Sequence, residues 1–130
     1  MWLDLLLPAA TIERKSEGAG TPHPRVRIGP GERLLRAVVA LAGPQAELMS
    51  HSEAPWASVT FAGTRHTIVL HFQGWEACDA AEELMAALPE HEFTIPRTLV
   101  ADAAVVRLEQ SLLPEPVMTM ELALLLLDDA

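Results

Sequence analysis

Apolar residues change their spacing twice along this chain, and those changes constrain the fold. Over residues 32–42 they recur at helix spacing, Leu34, Val38 and Leu41 standing at i, i+4 and i+7 before the stop at Gly43-Pro44. A second helical stretch covers 76–88, with Ala77, Ala81, Leu84 and Leu88 on one face and Glu76, Asp79, Glu82 and Glu83 largely on the other. Pro89 ends it. Each helix is followed by segments of period two, the pattern of strands with one buried face.

Four strands are expected, over 57–62, 65–72, 99–109 and 117–127. Gly63-Thr64 reads as a two-residue type II′ hairpin turn, which opposes Phe61 to His66, Val59 to Ile68 and Ala57 to Leu70. The sequence therefore predicts an α+β protein in which two helix-strand-strand units form a mostly antiparallel four-stranded sheet with two helices on one face. Its core side would hold Val59, Phe61, Ile68, Leu70, Phe72, Ala104, Val106, Leu108, Met120, Leu122, Leu124 and Leu126. An offset of 45 residues lays Pro44-Gln-Ala-Glu-Leu48 over Pro89-Glu-His-Glu-Phe93, and Val59 and Phe61 over Ala104 and Val106. Duplication of 32–74 as 75–130 is one reading of that match.

Ahead of this domain, 32–130, residues 1–31 read as an arm and linker. Thr11 to Gly31 is dense in glycine, proline and polar residues without periodicity, although Arg25-Val-Arg-Ile28 has the makings of a short strand. Charge separates the two parts. Residues 1–36 hold six Lys/Arg against four Asp/Glu, whereas 37–130 hold three against fourteen, within a net charge of −9. An acidic body repels phosphate, so no nucleic-acid partner is expected. The apolar start Met1 to Pro8 lacks a basic flank and is too short to span a bilayer, and no membrane partner is expected either. The default location is cytoplasmic. Half of the residues are hydrophobic, which for a chain this size points to a surface covered by another copy and hence to a homo-oligomer.

The polar side of the sheet is where chemistry could reside. His71 is a candidate general acid or base there, with Glu109 and Glu121 as candidate catalytic partners. Arg65 and Arg107 could hold a small anionic ligand through their planar donor forks, with Trp56 and Thr67 on the same face. His66 falls on the opposite, core-facing side because an odd separation on a strand reverses the face. His51 and Glu53 share a face, but two ligands do not make a metal site, so no metal and no cofactor is expected. The single cysteine, Cys78, rules out an internal disulfide. Its place near a helix start could lower the thiol pKa, while packing is the plainer role. Nucleotide-binding glycine motifs and the GxSxG elbow are absent. These features favour a small self-associating assembly module without catalytic activity, and a binder or enzyme acting on a small anionic molecule at His71 is the alternative.

Overall fold

The computed structural model describes residues 28–128. Helix α1 (Pro30–Ala42) is followed by strands β1 (Ala46–Ala57) and β2 (Ala62–Gln73), then by helix α2 (Trp75–Ala87) and strands β3 (Thr98–Ser111) and β4 (Val117–Asp128). The helix-strand-strand order thus occurs twice, and the class is α+β with an antiparallel four-stranded sheet. Apart from residues 28–31, the arm and the short strand expected at 25–28 lie outside the described residues. Among the described residues no helix is long and apolar enough to cross a membrane.

Pro30 sits in the first turn of α1, where its missing N–H costs nothing, and Gly43 caps the other end at φ +94°. Leu34, Val38 and Ala42 form the buried stripe of α1. Ala77, Cys78, Ala81 and Leu84 form that of α2. The strand order is β1-β2-β4-β3. β2 and β4 are therefore central, and over residues 66–72 and 117–126 they alternate between buried and half-buried residues. Their inward side chains, from Ile68, Leu70 and Phe72 to Met118, Met120, Leu122, Leu124 and Leu126, meet the helices in one core. α1 packs on β1 and α2 on β2 and β4, whereas β3 receives chiefly the short 3-10 turn Leu88–Glu90.

The first hairpin differs from expectation. The chain reverses at Ser58–Phe61, where Ser58 N–H donates to Phe61 O at 2.7 Å. The Ser58 hydroxyl accepts from the N–H groups of Thr60 and Phe61 at 3.3 and 3.0 Å. A serine side chain thus organises the turn that glycine was expected to make. Gly63 lies within β2 for another reason, since a Cβ there would come 2.0 Å from the Leu126 carbonyl oxygen. The register moves accordingly. His66 faces Glu53, Ile68 faces His51 and Leu70 faces Leu48, while Val59 and Phe61 are exposed at the turn instead of buried in the core.

β3 carries the second correction. Its pairing with β4 is interrupted between Val100 and Asp102 and again between Val105 and Arg107. An extra residue reverses the face of everything beyond it. Val105, not Ala104 or Val106, consequently packs towards the core beside Ala103, and Val106 is exposed. Leu108 returns to the helix side opposite Met120 but is still 40% exposed. The 45-residue offset holds for the helix starts, yet it does not bring Val59 and Phe61 onto positions like those of residues 104 and 106, the first pair lying in or beside a turn and the second in a strand.

Candidate functional site

The side of the sheet away from the helices gathers part of the predicted set. Pairing places Glu109, Thr119 and His71 in one row across β3, β4 and β2, and Arg107, Glu121 and Val69 in the next. The His71 Nδ1 and Thr119 Oγ1 atoms are 3.1 Å apart, so the histidine is engaged by a hydroxyl and not by either carboxylate. Glu109 is two strands away from it, about 10 Å by the spacing of neighbouring strands. Val69, Arg107, Glu109, Thr119 and Glu121 line a shallow depression. Inside it Arg107 already bonds Glu109 at 3.3 Å, with both side chains more than half exposed.

The rest of the set lies elsewhere. Arg65 pairs with Leu125 and Thr67 with Ala123, further along the sheet from Arg107, so the two arginines stand roughly 15 Å apart and cannot grip one small anion together. Trp56 pairs with Gly63 at the far end of β2 instead of facing His71, whose neighbour on β1 is Glu47. Cys78 is buried in the core, its Sγ 3.9 Å from Phe72 O. Burial raises the thiol pKa, with acidic neighbours including Asp79 and Glu82 adding to the rise, so this cysteine takes the packing role, the plainer of its two readings.

A different constellation is much more closely built. The corrected register of the first hairpin brings Glu53 opposite His66 and His51 diagonal to it, on the core side at the edge of α1. His51 Nε2 and His66 Nδ1 are 2.9 Å apart, and with 5.2 Å between ring centroids and 22° between planes the two rings meet edge to edge through these nitrogens. The other nitrogen of His66, Nε2, lies 2.8 Å from Thr64 Oγ1. His66 is completely buried, the one polar side chain so placed among the described residues. Glu53 completes a trio whose nitrogen and oxygen ligand atoms all lie within 4.8 Å of one another.

The start of α1 closes over this trio. A Cβ on Gly31 would come 3.0 Å from His66 Cε1 and 3.3 Å from Glu53 Oε2, so the helix approaches this closely because residue 31 has no side chain. Burial lowers the pKa of both imidazoles below the ordinary value, against the opposing pull of Glu53. Both rings are therefore neutral at neutral pH. His51-Ser-Glu53 was visible in the sequence as a pair. The third member was hidden by the hairpin register, and only a turn assignment built on Ser58 would have supplied it.

No protein-family model matches the chain and no curated protein matches it. A chain in a solved structure, "Virion of native gene transfer agent (GTA) particle", is similar with a TM-score of 0.48 and 18% identity, over 74% of this chain and 89% of that one. That likeness is too loose to bring a role with it.

Proposed function

We propose that the chain is an assembly module that self-associates through the outer edge of β3, which among the described residues pairs with no strand but β4. The observation that carries this reading is the second half of that strand. From Val106 to Ser111 every residue is exposed, Val106 at 55%, and Leu112 and Leu113 extend the apolar surface beyond the strand. An unpaired strand edge is a template for another strand. A second copy of this chain suits it. Antiparallel pairing about a two-fold axis at Leu108 sets Arg107 against the partner's Glu109 and Leu108 against its counterpart, so charge and apolar surface are complementary at once. Both helical layers would then lie on one side of a continuous eight-stranded sheet.

Native mass spectrometry at micromolar concentration tests this. A dimer or larger even-numbered assembly is expected from the unchanged chain, and Leu108→Lys should shift it to monomer. A monomeric unchanged chain would overturn the reading.

The alternative, a small-anion binder or enzyme at His71, is supported by the depression beside Arg107 and opposed by the two carboxylates that flank that arginine. His71→Ala should abolish ligand retention without loss of thermal stability if that reading holds.

A further inference from the structure

The structure assigns a binding site for a divalent transition-metal ion to His51, Glu53 and His66, at the junction of β1, β2 and the start of α1. The argument is independent of how the chain assembles. Imidazole nitrogen binds late first-row metals such as Zn²⁺, and a carboxylate completes a mixed nitrogen and oxygen set that Mg²⁺ and Ca²⁺ do not prefer. The two nitrogens that face each other, His51 Nε2 and His66 Nδ1, are 2.9 Å apart. A metal about 2.05 Å from each would see them at an angle of about 90°, and because the two nitrogens point at each other each ring would turn by about 45° to aim its lone pair at the ion. Separating the rings by roughly 0.4 Å would give the tetrahedral angle instead.

Two further features match what such a site requires. A ligating histidine ordinarily hands its second ring N–H to an oxygen, which fixes the tautomer and aims the free lone pair. Thr64 Oγ1 is that oxygen, 2.8 Å from His66 Nε2, and with the proton held there Nδ1 presents its lone pair towards His51 and Glu53. The second feature is Gly31. Any side chain at this position would enter the space beside His66 and Glu53, where a water or another ligand would complete the coordination. Three protein ligands with a remaining position are the pattern of a metal that stays accessible to chemistry.

Zn²⁺ added to the full chain after dialysis against chelator tests the assignment by calorimetry. One saturable equivalent is expected, with a rise in melting temperature that Mg²⁺ does not produce. His51→Ala and Glu53→Gln, both at positions that are not fully buried, should each weaken binding at least tenfold. Thr64→Val should weaken it about tenfold through loss of the aimed tautomer. His91→Ala, on the surface beyond α2, should leave it unchanged. The unaltered chain supplies a check that needs no variant, since Zn²⁺ should shift the imidazole nitrogen resonances of His51 Nε2 and His66 Nδ1 before those of other histidines. Absence of a stoichiometric site, or affinity unchanged in His51→Ala, or shifts confined to other histidines, would overturn the proposal.

Discussion

The two edges of this sheet are built to opposite ends. β1 contains Pro55, breaks register after Leu48 and lies against α1. Proline and a bulge are devices that blunt an edge against further pairing. β3 contains no proline and is longer by two residues, and although two breaks interrupt its first half it runs in regular register from Arg107 to Ser111, with little of the helical layer over it. One edge is closed by local chemistry and tied to β2 through the His51–His66 contact, while the other has no further strand beside it among the described residues. On the two proposals made above, the β3 edge is the one that takes a second copy and the β1 side is the one that takes the metal.

The largest effect should come from removing what both edges share. Gly63→Val drives side-chain atoms into the Leu126 carbonyl across the central β2–β4 pair, and with backbone in the way a loss of about 3 kcal/mol or complete unfolding is expected in a denaturant titration. Retained stability would show that the central strands can separate without cost. Next in size is the contrast itself. Lysines at Val106 and Leu108 together should weaken self-association by a hundredfold or more, about 2.7 kcal/mol, in sedimentation equilibrium. Lysines at Leu48 and Met49, which are comparably exposed on β1, should leave it unaltered. Equal effects from the two pairs would dissolve the distinction between the edges.

Acid should act first where β1 meets β2, at His51 and His66. The folded-state pKa values of His51 and His66 lie below the ordinary imidazole value of about 6.5, so unfolding takes up protons as pH falls. The stabilisation is complete above that value and is lost as pH falls towards the lowered folded pKa values. The metal-free protein should therefore melt a few degrees lower at pH 5 than at pH 7. Amides of β1 should lose hydrogen-exchange protection before those of β3, after correction for intrinsic rates, and His51→Ala should flatten the pH profile. The smallest expected effect concerns charge. Arg107→Glu should weaken association by about 1 kcal/mol or less, and the double exchange Arg107→Glu with Glu109→Arg should restore it, because the two-fold pairing regains opposite charges.

Much of the architecture was legible in spacing alone. The helix periods located α1 and α2 to within two residues at each end, and the alternation of β2 and β4 identified their inward and outward faces correctly. What escaped has physical causes. β1 reads Ala-Glu-Leu-Met-Ser-His-Ser-Glu-Ala-Pro-Trp-Ala, poor in β-branched residues and carrying a proline, and it becomes a strand because β2 offers it an edge. Gly63 imitated a turn glycine although its role is close approach between strands. The bulges of β3 leave no compositional mark, so Val105 and Val106 exchanged faces unannounced. Each error moved side chains between faces. The His51, Glu53 and His66 trio was therefore invisible, whereas His71, on a strand that alternates simply, lies on the sheet face where alternation put it, with Thr119 rather than a carboxylate as its partner.

The order of strands has a consequence for how the molecule comes into being. β4 is inserted between β2 and β3 although it follows both in the chain. Until it is in place, Ile68, Leu70 and Phe72 lack their neighbours on one side, and two long strand edges stand open at once. Productive folding must therefore wait for a pairing between segments about 50 residues apart, a non-local step of the kind that slows folding and exposes apolar surface meanwhile. The same insertion makes residues 117–128 the keystone of the sheet. A nick in the Leu112–Pro116 connection would leave a strand able to dock from outside, so a peptide of β4 sequence supplied in trans is a means of rebuilding the fold from two pieces.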